Sequence, residues 1–343
     1  MINIGIVGIN GLVGRAILES IKRLNLINNI HYHFYGTYNT DNQEIEFNNQ
    51  IHSILTFKMQ YLHDLDYVIL AVDNITAKNI YYYSQQLRLN IKIIDNSSEF
   101  RLDNNVLLCI PEINANILTN YIHQYYPTLI ANPNCVTTLM CMVLQPLLNL
   151  GSIKSIVAST YQAASGAGYR GLQELETQTQ QITNGENLTT DFWHRQYVYN
   201  VFSHNSSIDS ETLYNEEELK LVNETKKILN INPKITATCI RVPTLRSHCI
   251  SLHVEFNNIL NKNDVINSLI EFPGIKVLDN IQENQFPEPI LTSENTDVFV
   301  GRIRSDINDE SCWNFFISGD QLLKGAGYNS VQILNKLLII YNQ

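Results

Sequence analysis

The chain has 343 residues, 44% of them hydrophobic, and a formal net charge of −10. It is too long for one hydrophobic core and too apolar for a disordered polymer, so two globular domains are expected. The negative balance argues against nucleic acid or an anionic membrane as the main partner, and an anionic small molecule would need its own cluster of arginines. Six cysteines show no CxxC or metal-ligand spacing, which predicts reduced thiols, no metal site and a cytoplasmic protein. No apolar run approaches the ~18 residues a membrane span needs.

In chain order, Ile2–Val7 reads as a strand and leaves no room ahead of it for a signal peptide. Gly8-Ile9-Asn10-Gly11-Leu12-Val13-Gly14 follows, and Arg15–Leu24 has apolar residues at helical spacing. Glycines between a strand and a helix permit a tight turn and bring backbone N–H groups up to a pyrophosphate. The spacing is GxxGxxG, and a turn that merely needs glycine would look the same. Strands are further expected at His31–Tyr35, Tyr67–Val72, Lys92–Ile94 and Leu129–Ala131, the rhythm of βαβ units and a parallel sheet. The segment after the second strand reads Tyr35-Gly36-Thr37-Tyr38-Asn39-Thr40. It offers no acid for a ribose 2′-hydroxyl, which favours NADP by default, and no Lys or Arg for a 2′-phosphate, which leaves NAD open.

Asp95-Asn96-Ser97-Ser98-Glu99-Phe100-Arg101 leaves another strand end. Arg101 has the planar donor fork that clamps phosphate, though alone it reads as a surface partner of Glu99. Asn132-Pro133-Asn134-Cys135 then places a thiol at the first turn of an apolar helix. A helix N-terminus favours the thiolate, the nucleophilic form. On position alone, a buried structural cysteine is as good a reading.

Beyond the cysteine the pattern changes. Strands are expected at Ile153–Thr160, Ile235–Val242, Cys249–Phe256, Asp297–Ile303 and Trp313–Ser318, which suit a mostly antiparallel sheet. Ser159–Gly168 puts the Gln162 amide and the small residues Ser165, Gly166 and Gly168 at a strand end, where a flat ring can approach. A polar stretch, Thr177–Ile231, separates these strands, its later part Asn215–Leu229 helical by pattern. Glu217 and Lys220 lie three apart on that helix, which by itself reads as a surface ion pair. Arg241 and Arg246 flank a loop with His248, a residue whose pKa range suits acid–base work. The tail Gln321–Tyr341 reads as an apolar helix after the turn residues Gly325 and Gly327. The plan is an α/β chain: a Rossmann-like dinucleotide-binding domain over 1–131, an α+β catalytic domain over 132–320, and a segment 321–343 returning to the first.

Taken in order, these motifs resemble those of the bacterial aspartate-β-semialdehyde dehydrogenases over essentially the whole chain. The match runs from the glycine loop through Asp95–Ser98 with Phe100-Arg101, Pro111-Glu112-Ile113-Asn114, Asn132–Cys135, Ser159–Gly168, Glu217 with Lys220, Arg241-Val242-Pro243 and His248, to Leu322–Ala326 and Asn329–Gln332. The resemblance implies a second domain of the glyceraldehyde-3-phosphate-dehydrogenase-like type that also dimerises. It implies Cys135 as the acyl-accepting nucleophile, His248 as the acid/base and Gln162 as the amide that positions the reacting centre. It implies Arg241 for the substrate carboxylate, Glu217 for its ammonium, Arg101 and Lys220 for phosphate, and Asn134 beside the nucleophile. Gly8, Asn10, Gly11, Leu12, Val13, Gly14, Thr37 and Asn39 fall at the dinucleotide, and Ser165, Gly166, Gly168 and Asn329 near the nicotinamide.

The implied reaction is NADPH-dependent reductive dephosphorylation of L-4-aspartyl phosphate to L-aspartate 4-semialdehyde through a Cys135 thioester. It belongs to lysine, threonine, methionine and diaminopimelate biosynthesis, in a homodimer or homotetramer. Departures from the pattern are Ile9-Asn10 for Ala-Thr, Asn39 for an NADP-loop arginine, Asp73-Asn74 for small residues, Ser247 and Cys249 around the histidine, and Gln321 for Asn. The alternatives are an N-acetyl-γ-glutamyl-phosphate reductase, which usually carries Pro-Gly-Cys, and a non-catalytic nucleotide-binding homologue.

Overall fold

The computed structural model describes residues 1–38, 40, 41 and 43–341. The chain divides into two compact units, residues 1–133 with 326–343, and residues 134–325.

The first unit holds an eight-stranded sheet of β1 (Ile2–Val7), β2 (Ile30–Gly36), β3 (Gln43–Phe47), β4 (Gln50–Thr56), β5 (Tyr67–Leu70), β6 (Lys92–Asp95), β7 (Leu107–Leu108) and β8 (Thr128–Ala131), in the order β3-β4-β2-β1-β5-β6-β8-β7. All pairs are parallel except the β3–β4 hairpin. Strands β5, β6 and β8 are buried along their whole length, as a sheet covered on both faces requires. Helix α1 (Leu12–Arg23) buries Ile17 and Ile21 on the sheet, and α2 (Asn74–Gln86) follows β5. The order reverses between β1 and β5, so the loops after those two strands bound a ligand crevice at the carboxyl edge. The hairpin escapes a reading of the sequence. Its strands, Gln-Glu-Ile-Glu-Phe and Gln-Ile-His-Ser-Ile-Leu-Thr, are half polar, and the turn rests on Asn48 and Asn49 at positive φ.

The second unit holds α3 (Cys135–Leu148), α4 (Gly168–Asn184), α5 (Glu216–Leu229), α6 (Lys262–Glu271) and a seven-stranded sheet. The strands are β9 (Ile153–Gln162), β10 (Phe202–Ser203), β11 (Lys234–Arg241), β12 (His248–Phe256), β13 (Ile275–Val277), β14 (Val298–Ser305) and β15 (Cys312–Gly319), in the order β10-β11-β9-β12-β15-β14-β13. Only β9–β11 and β13–β14 are parallel, so the sheet is mostly antiparallel, as the alternation predicts. One face presents Ile156, Ala158, Ile250, Leu252, Val254, Trp313, Phe315 and Ile317, all buried. Helix α3 is apolar almost all round because it lies on β12, β14 and β15 beneath a second layer of helix.

Two elements differ from the sequence reading. The polar stretch begins inside α4, whose buried stripe includes Glu174 and Gln178. These two face inward because they hold the backbone of the 189–198 loop: Glu174 accepts from the N–H groups of Phe192 and Trp193, and Gln178 from those of Tyr197 and Val198. The C-terminal helix, α7, spans Tyr328–Tyr341, because Leu323–Gly327 forms a π-type turn ahead of it.

Candidate active site

Cys135 is the first residue of α3, and it alone of six free cysteines is not buried. Burial pushes the Cys239 thiol up to about 12 and Cys249 to about 11, and drives Cys141 upward as well, so those thiols stay protonated. Asn134 caps the helix: its Oδ1 accepts from the N–H groups of Val136 (3.0 Å) and Thr137 (3.1 Å). A Cβ on Gly325 would lie 2.7 Å from Cys135 Cβ, so only glycine lets the π-type turn approach the thiol residue this closely.

Around this turn the second unit gathers Asn134, Gln162, Glu217, Arg241 and His248. Glu217 Oε1 accepts from Asn134 Nδ2 at 2.9 Å and from Gln162 Nε2 at 3.3 Å. The peptide of Ala163 ties two more groups together. Its carbonyl accepts from Arg241 Nη1 at 3.1 Å, and its N–H donates to His248 Nδ1 at 3.0 Å. Gly166 packs against both, since a Cβ there would lie 2.9 Å from Arg241 Nη1 and 3.0 Å from His248 Nε2. Arg241 also donates through Nε to Asn205 Oδ1 and stacks over Trp193.

Burial is expensive for these charges, and the network shows how it is offset. Burial pushes the His248 imidazole down to about 3, helped by the Arg241 guanidinium and opposed by Glu217, so the ring is neutral at physiological pH. Its Nδ1 accepts a hydrogen bond from the Ala163 N–H, which leaves the ring hydrogen on the buried Nε2, an atom with no protein partner. Burial and Arg241 hold His204 near 4. Glu217 stays below the ordinary carboxylate range: burial works against it, and His204, the Asn134 amide, Lys220 and Arg241 together prevail. With His204 neutral at pH 7, the amide and the two cations carry that effect. Lys220 pairs at 3.7 Å with Glu216, not with Glu217. Ser165 is buried and accepts from Gln321, whose Oε1 takes the N–H of Ser247 beside His248. Gly168 opens α4 at φ 82 with no atom near its missing Cβ.

The first unit carries the remaining candidates. Gly8, Asn10, Gly11 and Thr37 line a cleft of about 350 Å³ with Gly36, Tyr38, Thr40, Ala71, Val72 and Asp73. Gly8 sits at φ 89, where a Cβ would lie 2.1 Å from Ala71 O; one on Gly14 would lie 2.4 Å from Gly8 O. Gly11 caps α1 without a side chain, so the N–H groups of Leu12 and Val13 start the helix free of any side-chain cap. A backbone cradle of this kind fits the phosphates of a dinucleotide. Asn39 lies outside the described residues. Asp41 binds the N–H of Thr56 through its carboxylate. Arg101 is buried and donates to Asn96 O at 2.8 Å. Asn329 gives its amide to Asn132 Oδ1 and Cys109 O.

The comparisons with known proteins agree across the chain. The sequence profile "Semialdehyde dehydrogenase, NAD binding domain" matches residues 3–121, and "Semialdehyde dehydrogenase, dimerisation domain" matches residues 144–324. The aspartate-semialdehyde dehydrogenase of a Synechocystis species is 34% identical over 98% of this chain and 97% of its own. The chain belongs to the aspartate-semialdehyde dehydrogenase family. Its relative in Prochlorococcus marinus is 42% identical over 72% of this chain and 70% of its own length. A crystal structure of aspartate semialdehyde dehydrogenase II from Vibrio cholerae, complexed with ASA, superposes with a TM-score of 0.90 at 28% identity, covering 99% of each chain. Membership makes the protein an oxidoreductase with a Rossmann-type NAD(P)-binding domain. Among the described residues no helix is long and apolar enough to cross a membrane, and no group of His, Cys, Asp and Glu is arranged to hold a metal.

The sequence reading missed Glu224, His204, Asn205 and Trp193. Glu224 is fully buried and accepts from the Asn134 backbone N–H at 2.7 Å. Its spacing of seven from Glu217 places both on one face of α5, the one signal that was legible. The other three lie in the polar loop, where composition marks no site.

Proposed function

We propose that the protein reduces L-4-aspartyl phosphate to L-aspartate 4-semialdehyde and phosphate, with NADPH, in amino-acid biosynthesis. The observation that carries this reading is the partly exposed Cys135 at the start of α3, joined through Asn134 to Glu217 and Gln162, with Arg241 and His248 both bonded to the next peptide, Ala163. The Cys135 thiolate attacks the acyl carbon, and the C–O bond to phosphate breaks, leaving a thioester. N–H groups of the first turn of α3 and the Nε2–H of His248 stabilise the tetrahedral oxyanion. Bound NADPH would supply the hydride that reduces the thioester carbon. The resulting alkoxide expels the thiolate as aldehyde, a collapse that returns Cys135 ready for the next substrate.

Arg241 is suited to the α-carboxylate, and an anionic Glu217 favours a free ammonium over an acylated amine. That favours aspartyl phosphate over an N-acetylated substrate. Lys220 and Arg101 are proposed for phosphate, and Asn39, Ser165, Gly166, Gly168 and Asn329 for the cofactor. We propose NADP as the cofactor because the carboxylate after β2, on Asp41, is already engaged by Thr56. We also propose a homodimer in the cytoplasm.

The test mixes aldehyde, phosphate and NADP or NAD with enzyme and follows reduced cofactor by absorbance. The reading expects strict dependence on phosphate and complete loss in Cys135→Ala. Turnover without phosphate, or in that variant, sinks it.

A further inference from the structure

Asn134 is held from two sides by one helix. Its side-chain Nδ2 donates to Glu217 at 2.9 Å, and its backbone N–H donates to Glu224 Oε2 at 2.7 Å. Both carboxylates project from α5, about two turns and roughly 10 Å apart along its axis. With Oδ1 spent on the N–H groups of Val136 and Thr137, the backbone N–H, a side-chain N–H and the capping oxygen of Asn134 are all committed. The residue is 6% exposed.

The two carboxylates are not equivalent. Glu217 also accepts from Gln162 and lies among His204, Lys220 and Arg241. On the function proposed above it turns to a substrate ammonium, so its hold on Asn134 is shared with ligand. Glu224 is 0% exposed and lies two helical turns further along. Its bond fixes the Pro133–Asn134 peptide, and with it the direction from which the chain enters α3. A carboxylate accepting from an N–H makes a shorter, stronger bond than a neutral oxygen does. The direction of the Cys135 side chain is set by its own backbone, which begins one residue beyond this contact.

We propose that Glu224 is a positioning residue for the Cys135 thiol: its bond to the Asn134 N–H holds the entry turn of α3 whether or not Glu217 is engaged by substrate. The proposal rests on the reading of Cys135 as nucleophile, and it assigns Glu224 no contact with substrate.

The test compares E224Q, whose amide oxygen still accepts the N–H, with E224M, which keeps the length and loses the acceptor. The first readout is alkylation of Cys135 by iodoacetamide, with Cys135→Ala as the blank. It needs neither substrate nor cofactor, so it stands even if aspartate semialdehyde is not oxidised. Loss of the acceptor leaves a buried N–H unpaired, which predicts alkylation and kcat slower by about 10-fold or more in E224M, with KM within about 2-fold and E224Q within about 3-fold of the parent. A folded E224M that alkylates at the parental rate overturns the proposal. So does a loss confined to KM. Should E224M fail to fold, a folded E224Q slowed beyond about 10-fold overturns it, and one within about 3-fold supports it.

Discussion

Gly166 shows how tightly single residues are constrained here. It is exposed, yet a methyl group on it would press on the buried Arg241 and His248 together. Gly166→Ala should therefore keep the fold and lower kcat/KM by about 100-fold, the effect of misplacing reacting groups by about 1 Å. Parallel melting curves and turnover assays check it. His248 gives a second prediction at this scale. Its folded pKa, about 3, lies below the unfolded value near 6.5, so between those values the unfolded chain binds the extra proton. The stability it contributes is complete above pH 6.5 and is lost as pH falls towards 3. Between pH 7 and pH 5 this amounts to about 2 kcal/mol. Urea unfolding of the parent and of His248→Asn at both pH values measures it; an equal loss in the two proteins refutes it. His204, held near 4, adds to the same acid slope.

Among elements, α4 is the one whose sequence gave least warning. A stripe that buries Gly171, Glu174, Leu175 and Gln178 is not an apolar stripe, and helical periodicity looks for apolar residues. Its polar groups are inside because the loop that follows has backbone N–H groups to satisfy. That loop carries Trp193, which lies under the Arg241 guanidinium. Glu174→Ala leaves the N–H groups of Phe192 and Trp193 unpaired, at about 1–3 kcal/mol each. The loop should loosen, raising KM for the aldehyde by about 10-fold with a smaller change in kcat. A kcat loss at constant KM would contradict this. The β3–β4 hairpin is the comparable case in the first unit: half-polar strands hide its alternation, and only the paired asparagines at the turn mark it.

At the scale of the whole molecule, the two units pose separate questions. No Lys or Arg lines the described cleft of the first unit, so a 2′-phosphate lacks a charged partner there. The NADP/NAD ratio of kcat/KM should then stay below about 10, since a charged contact worth about 1.5–3 kcal/mol would carry it beyond that. A ratio in the hundreds refutes this. In the second unit, the sheet face opposite the helices shows Val157 at 44% exposure, with Ser251 exposed and Tyr161 against a half-buried Phe316. A self-complementary dimer across that face predicts dimeric sedimentation of the parent and monomers on Val157→Asp. An unchanged dimer in the variant would place the interface elsewhere.

Sequence alone marked the parallel strands β1, β2, β5, β6 and β8 of the first unit, the mostly antiparallel set of the second and the helix that begins at Cys135. These rest on local signals: runs of apolar residues, alternation, glycines between strand and helix, and asparagine ahead of a helix. Ordered motifs over the whole chain also sufficed to identify the family. Tertiary structure decided what those residues touch. Only folding placed Glu224 under Asn134, turned Lys220 to Glu216 and set the Ala163 peptide between Arg241 and His248. It also decided the chemical state of His248, because a ring's tautomer depends on which N–H it meets. Cys135 was recognisable as a candidate from four letters of sequence; the exposure that separates it from five buried thiols arises only when distant strands and helices pack.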